Sequence, residues 1–309
     1  MNFRHLRTFV TVAEEGTVSK AALRLHVAQP ALSRQINDLE VELGIRLFDR
    51  VRKRLLLTGE GDRLLVDCRS ILSAVDSLSE RAQLLRRPDA GVLKVAATPQ
   101  MIDGVFSTFL HRYATRFPNV QIKLSDLVGP ADLFAKLESG ELHLGIGLLR
   151  SLEAETHEIE SFPLPSVEFL AAGHASVPLG SAGNIEVADL ARFQLLLLAS
   201  SFEVRKSFDD ACRVAALKPR IFMESRLSHT LLALAEAGHG VAIVPSVLPT
   251  HRYRLRIARI THQRKPLREP LTVLWNRRRV LPPYTKEFCE FLNAYMREVF
   301  PISQRTTRR

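Results

Sequence analysis

Gln29, Ser33, Arg34 and Asn37 are the side chains of this chain whose types and spacing best suit chemistry, and that chemistry is recognition. Glutamine can pair with an adenine edge through two hydrogen bonds, arginine does the same for guanine, and serine takes either role. All four fall in the first half of one predicted helix, on its outward side. Pro30 sits in the first turn of that helix, where its missing N–H costs nothing. Asp38, Glu40 and Glu42 follow in the second half. Acids there oppose the helix dipole slightly, which makes sense if only the N-terminal half approaches phosphate. Downstream, Arg50, Arg52, Lys53 and Arg54 crowd a hairpin-like stretch that ends at Thr58. Cations of this kind supply affinity and register on a nucleic-acid backbone without reading sequence.

Bond-making chemistry finds no comparable set of residues. The chain has no GxSxG elbow, no HExxH pair and no P-loop, and Gly145-Ile146-Gly147 lacks the rest of a dinucleotide GxGxxG pattern. Its 10 histidines are scattered without ligand spacing, and His143 and His239 read as scaffold. Cys68, Cys212 and Cys289 are far apart and odd in number, so no disulfide framework or CxxC metal knuckle is available. No catalytic residue, metal or cofactor is expected, and the cysteine usage suits a reduced, cytoplasmic protein.

The elements that must position the readers follow from apolar spacing. Leu6, Phe9, Val10 and Ala13 mark one helical face, which Gly16 ends. Val18, Ala21, Ala22 and Leu25 repeat it, with Thr17 or Ser19 as the N-cap. The third helix has Leu32, Ile36, Leu39 and Leu43 as its stripe and stops at Gly44. Two short amphipathic helices with a tight join, the second polar at its start, form the layout of a helix-turn-helix whose second helix enters a DNA groove. The basic stretch after it reads as a wing.

Beyond Thr58 the pattern changes. Leu64, Cys68, Ile71, Val75, Leu78, Ala82 and Leu85 alternate spacings of four and three, a coiled-coil seam. A long helix with one apolar stripe calls for a second copy. Paired heads present a twofold reader and expect an inverted-repeat operator in double-stranded DNA. Residues 88–91, Pro-Asp-Ala-Gly, break the helix and make a hinge. From residue 92 strands and helices alternate, which predicts a parallel, doubly wound sheet in two α/β lobes with a cleft between them. Ligands of open α/β sheets bind at strand C-terminal ends near helix N-termini.

The domain plan is therefore 1–58 for the winged head, 59–87 for the dimerising helix, 88–91 for the hinge and 92–300 for the two-lobed domain. Lobe I takes about 92–163 and 268–300, and lobe II about 164–267. Residues 301–309 are expected to be a disordered basic tail. The formal net charge of +10 is unevenly shared: residues 1–87 hold 15 basic and 11 acidic side chains, 88–249 hold 13 and 18, and 250–309 hold 15 and 4. The C-terminal stretch reads either as a solvated basic surface or as an auxiliary contact for DNA or an acidic partner. No apolar run approaches the ~20 residues of a membrane helix, and the first five residues lack a secretory layout.

The run from Ala21-Ala22 through Leu25, Val27, Gln29-Pro30-Ala31-Leu32-Ser33, Gln35-Ile36, Leu39-Glu40, Leu43-Gly44 and Leu47-Phe48 to Arg50 resembles the LysR-type transcriptional regulators, and the likeness continues through Leu57-Thr58 and Gly61. Glu138, Gly140, Leu142 and Leu144-Gly145-Ile146 resemble that family as well, as does Gly238 with Gly240-Val241-Ala242-Ile243-Val244-Pro245. The resemblance implies a winged helix-turn-helix, a dimerising linker helix and an effector domain like the type 2 periplasmic-binding fold. It also implies a homotetramer built as a dimer of dimers that bends promoter DNA, with RNA polymerase as an open further partner. Ala28 departs from the Ser or Thr usual before Gln29, which removes an expected N-cap hydroxyl worth ~1 kcal/mol.

For the effector, the resemblance points to the loop Thr98, Gln100 and Met101, to Gly129 and Pro130, to Ser200, Ser201 and Phe202, and to the helix start at Ser228. Polar residues before helices favour an anion such as a small carboxylate or aromatic acid. Leu148 removes one place where a cation would meet it. Three readings stay open here: an effector-controlled regulator, an effector-independent one, and a solute-binding protein, which would leave the head and seam without purpose.

Overall fold

A computed structural model describes residues 1–51, 54–87, 90–127, 129–148, 158–180 and 182–299. The chain divides into two compact units, one centred on Met1–Arg86, the other holding Arg87–Leu137 and the chain from Leu142.

The first unit begins with α1 (Phe3–Glu15), α2 (Val18–Leu25) and α3 (Gln29–Leu43). Asn2 caps α1 by accepting the His5 N–H at 3.0 Å, and Thr17 caps α2. Gly16 and Gly44, at φ of 67° and 71°, end α1 and α3 in the left-handed region that glycine enters at no steric cost. Leu6, Phe9, Ala21, Leu32, Ile36 and Leu39 form the core, joined by Val12 rather than by the half-buried Val10 and Ala13. Leu43 is exposed. A two-stranded wing follows, β1 (Phe48–Val51) against β2 (Arg54–Leu57). The Leu55 N–H donates to the Gly16 carbonyl at 3.1 Å, which ties the wing to the α1–α2 turn.

The linker helix α4 (Gly59–Arg86) corrects one assignment within the seam. Cys68, with Leu65 and Leu72, is buried in the core of its own head, and Leu64 packs against the same cluster. The first half of α4 carries two apolar stripes, and one is taken by α1. The heptad positions beyond it stay open: Ile71, Leu78 and Leu85 are 42%, 67% and 88% exposed.

The second unit is a mixed sheet, not the parallel one that strand–helix alternation suggests. In the first lobe β3 (Gly91–Ala97) lies between β4 (Val120–Asp126) and β5 (Leu144–Leu148), all parallel. In the second, β8 (Gln194–Leu198) runs parallel to both β9 (Arg220–Ser225) and β10 (Val241–Pro245). Two long strands carry the chain between lobes. The 16-residue β6 (Ile159–His174) pairs antiparallel with β13 (Arg268–Asn276) up to Glu168, and with β10 from Phe169. Strand β13 returns and pairs antiparallel with β5. Sequence patterning marks only 167–172 of β6, whose earlier part contains Pro163 and Pro165. They are tolerated on an edge of the first lobe's sheet, where a missing N–H goes unneeded. Strand β7 (Asn184–Glu186), β11 (Leu255–His262) and β12 (Lys265–Pro266) complete the second lobe and lie outside the alternation read from sequence.

A helical run crosses the first lobe: α5 (Pro99–Met101), a π-turn at Ile102–Phe106, then α6 (Ser107–Arg116). Phe106, Phe109 and Tyr113 pack edge-on against Phe288 of α10 (Tyr284–Val299), with ring centroids 5.2–6.1 Å apart. This aromatic cluster fixes the run whose first turn opens the cleft. The lobes are lined further by α7 (Pro130–Ser139), α8 (Glu203–Val214) and α9 (Ser228–Glu236).

All three cysteines are free and buried. Burial pushes the Cys68 thiol up, and the Cys212 and Cys289 thiols up to about 12. Since the thiolate is the reactive form, none is poised as a redox sensor. Native protein treated with iodoacetamide at pH 8 should stay unmodified by mass spectrometry while the unfolded chain takes three labels. One rapidly labelled site in the native protein would refute this.

Candidate nucleic-acid interface and effector cleft

On the head, Gln29, Pro30, Arg34 and Asn37 are exposed and Ser33 is half-buried, all on α3. Ser19 reaches the Gln29 side chain, with its hydroxyl 3.3 Å from the Gln29 carbonyl oxygen. Gln35 faces inward instead and accepts from the Thr8 hydroxyl at 2.6 Å, which pins α3 to α1. Ala28 stands at the N-cap with no side-chain hydrogen bond, so the first N–H groups of α3 stay free for a phosphate or water. Glu40 is not a solvated acid, as its place in the second half of α3 suggests. Its carboxylate accepts the Leu47 and Phe48 N–H groups at 2.7 and 3.1 Å and sets where the wing starts. Arg54 is exposed on β2. Arg50 is described by its backbone alone, and Arg52 and Lys53 lie outside the described residues, as do Pro88, Asp89 and 301–309.

In the second unit a cleft open to solvent lies between the lobes. Thr98, Gln100, Met101, Gly129, Pro130, Ser201 and Phe202 line it together. Ser200 does not; it is exposed on the preceding turn. Ser228 does not either: it is buried at the start of α9, with its hydroxyl unpartnered among the described residues. The walls are apolar and come from segments far apart in sequence: Leu127, Leu133 and Phe134, Gly147 and Leu148, Val167, Val204, Pro245 and Val247, and Leu271 with Leu274.

The polar groups are few. Thr98 accepts the Met101 N–H at 3.4 Å and caps α5. Gln100 is 4% exposed, and its Nε2 has no hydrogen-bond partner among the described residues. A buried amide left without an acceptor costs about 1–3 kcal/mol. Helix α8 has no side-chain cap, and its first residues, Glu203 and Val204, line the cleft. Glu203 is paired with Lys206 at 2.6 Å. Arg226, which sequence reasoning missed, lies at 5.3 Å over the Phe202 ring and donates to the Ser201 hydroxyl at 3.3 Å. It comes from the loop after β9, and no local pattern ties it to residues 201 and 202.

Beside the cleft the lobes touch directly. Asp103 of the π-turn pairs with His229 of α9 at 3.2 Å, and His229 Nδ1 lies 3.0 Å from the Tyr253 hydroxyl. Gly104 packs against the Val247 carbonyl so closely that a Cβ there would lie 1.8 Å from its oxygen. Extra-residue turns of this kind recur at functional sites.

These features define a class: a winged helix-turn-helix head followed by a two-lobed binding domain. Residues 3–62 match the family described as bacterial regulatory helix-turn-helix protein, lysR family, and residues 86–297 match the LysR substrate binding domain. The chain is 30% identical over 296 residues to the HTH-type transcriptional regulator BsdA of Bacillus subtilis (strain 168), spanning 94% of this chain and 99% of BsdA. It is 31% identical over 254 residues to the HTH-type transcriptional regulator BenM of Acinetobacter baylyi, spanning 80% of this chain and 81% of BenM. The crystal structure of full-length CbnR complexed with its target DNA superposes with a TM-score of 0.72 at 27% identity, over 96% of this chain and 100% of that one. The chain belongs to the LysR family of DNA-binding transcriptional regulators. Among the described residues no helix is long and apolar enough to cross a membrane.

Proposed function

We propose that this regulator's grip on promoter DNA is switched by a small effector held between the two lobes. The observation that carries the reading is Gln100: a buried amide donor, unpartnered among the described residues, on the wall of an otherwise apolar cleft. A bound acceptor would satisfy it. The apolar walls suit a hydrocarbon or aromatic body. The uncapped start of α8 and Arg226 at the rim suit a single carboxylate. The effector acts as a population shift, binding one lobe arrangement better than the other. The chain works by binding rather than by turnover, in the cytoplasm. It reads an inverted repeat as a dimer joined through Ile71, Val75, Leu78, Ala82 and Leu85, with a dimer of dimers and contact to RNA polymerase as further steps. Gln29, Pro30, Ser33, Arg34 and Asn37 face bases and nearby phosphates, and Arg50, Arg52, Lys53 and Arg54 face the backbone.

The test is a melting-temperature screen with aromatic monocarboxylates and simple dicarboxylates. A true effector at a hundred times its Kd stabilises by about 2.7 kcal/mol, a rise of roughly 5–10 °C for a domain of this size. Gln100→Leu should abolish the rise while leaving a gel shift with the protein's own upstream DNA intact. If no acid raises the melting temperature, the carboxylate reading fails. If DNA binding persists with no responsive ligand of any class, the effector-independent alternative takes its place.

A further inference from the structure

Residues 237–268 contain no Asp or Glu, yet 252–268 hold seven cations: Arg252, Arg254, Arg256, Arg259, Arg264, Lys265 and Arg268. Of these, Arg259 is half-buried and paired with Glu168 at 2.8 Å. The other six are exposed, and no ion pair holds any of them among the described residues. Three acids nearby have other partners: Glu236 accepts the Arg254 N–H at 2.5 Å, Glu186 accepts the Arg264 N–H at 2.9 Å, and Asp189, in the same groove as Arg264, pairs with Arg192 at 3.2 Å.

The fold spreads these cations along one structural unit. Arg254, just before β11, and Arg256, its second residue, lie two residues apart. Eight residues further on, β11 turns back into β12 through Gln263 and Arg264, at φ of 51° and 64°. Two-residue hairpin turns of this hand favour Asn-Gly, and other residues pay about 1–2 kcal/mol each for the left-handed region. Here the turn is held by Glu186, which also accepts the Thr261 hydroxyl at 2.7 Å, and its tip carries Arg264 and Lys265. Arg268 opens β13 beside it.

We propose that this face of the second lobe, from Arg252 through the Gln263–Arg264 tip to Arg268, binds the backbone of duplex DNA, separately from the head. Strand β11 alone spans roughly 26 Å at 3.3 Å per residue, while a duplex offers a negative charge every ~1.7 Å of its axis. The exposed positions on the face include no aromatic or large aliphatic side chain to serve as the buried anchor of a protein interface. The same lack argues against single strands, which bind by stacking their bases on aromatic rings. Cations without apolar company fit a regular phosphate backbone.

The experiment measures binding of the full chain to a long duplex of unrelated sequence across a range of salt. Each phosphate that the protein no longer neutralises makes the plot of log affinity against log salt shallower by about 0.9. Arg254→Gln with Arg256→Gln, and separately Arg264→Asn with Lys265→Gln, should each flatten the slope by about 1–2. A control of equal charge change on the first lobe, Arg116→Gln with Lys123→Gln, should leave it unchanged. The preference for the promoter over unrelated DNA, which belongs to the head, should be retained in all three. Equal melting temperatures confirm folding. A slope within about 0.5 of the parent for both basic-face pairs, or an equal effect of the control, overturns the proposal and leaves the head's reading intact.

Discussion

Leu78→Lys combined with Leu85→Lys is expected to turn dimers into monomers and to weaken binding to an inverted-repeat operator by about 100-fold or more. These side chains, with Ile71, recur every seven residues along α4 and are left uncovered by the head. Burying a leucine against a partner is worth about 1.5–3 kcal/mol. The dimer buries two copies of each, and lysine at a seam position replaces that gain with the cost of desolvating a charge. Loss of pairing does not touch the head core, so affinity for an isolated half-site should change little. Both arms are measurable: light scattering after size exclusion for mass, and fluorescence anisotropy on full and half operators for affinity. A variant that remains dimeric and binds the full operator normally would show that the exposed stripe is not the coupling element. Cys68→Ala sets the contrast. Cys68 lies within the head, so its loss should lower stability and leave the oligomeric state alone.

The head is the most legible part of the sequence, because its information is local. The cap at Thr17, stops at Gly16 and Gly44 and a stripe at Leu32, Ile36 and Leu39 each act within a few residues. The linker is legible as a helix and ambiguous in facing. Leu65, Cys68 and Leu72 and the Leu64–Ile71 series both satisfy helical spacing, and only tertiary contact decides which the head takes. Strand β6 is obscured by two prolines that its edge position excuses, and β11 by charges that hide its apolar positions. The cleft is half legible. Residues at strand ends and helix starts, such as Thr98, Gln100 and Ser201, follow from the general rule for open sheets. Its walls and Arg226 depend on which loops the two crossover strands bring face to face, and no spacing encodes that.

Gly104→Ala gives a prediction whose sign separates two accounts of the π-turn. In an ordinary helix interior, replacing glycine with alanine stabilises by roughly 0.5–1 kcal/mol, because alanine has less backbone freedom to lose. Here the new methyl would lie 1.8 Å from the Val247 carbonyl oxygen; a methyl has no rotamer and the carbonyl is main chain, so nothing local relieves the overlap. The lobes must part locally. Overpacking of this kind costs about 1–3 kcal/mol, and parting also stretches the Asp103–His229 pair from 3.2 Å. That pair is itself a small term, because both side chains are nearly half exposed and such bridges contribute about 0–1 kcal/mol. Asp103→Asn should therefore be mild, whereas Gly104→Ala should lower the melting temperature by roughly 3–10 °C. It should also blunt the stabilisation by any cleft ligand, since that ligand gains only by favouring the closed arrangement. Binding of the head to a half-site should be unaffected. A melting temperature that rises would mean the lobes do not meet at Gly104 in solution, and closure would then have to be set by the cleft walls alone.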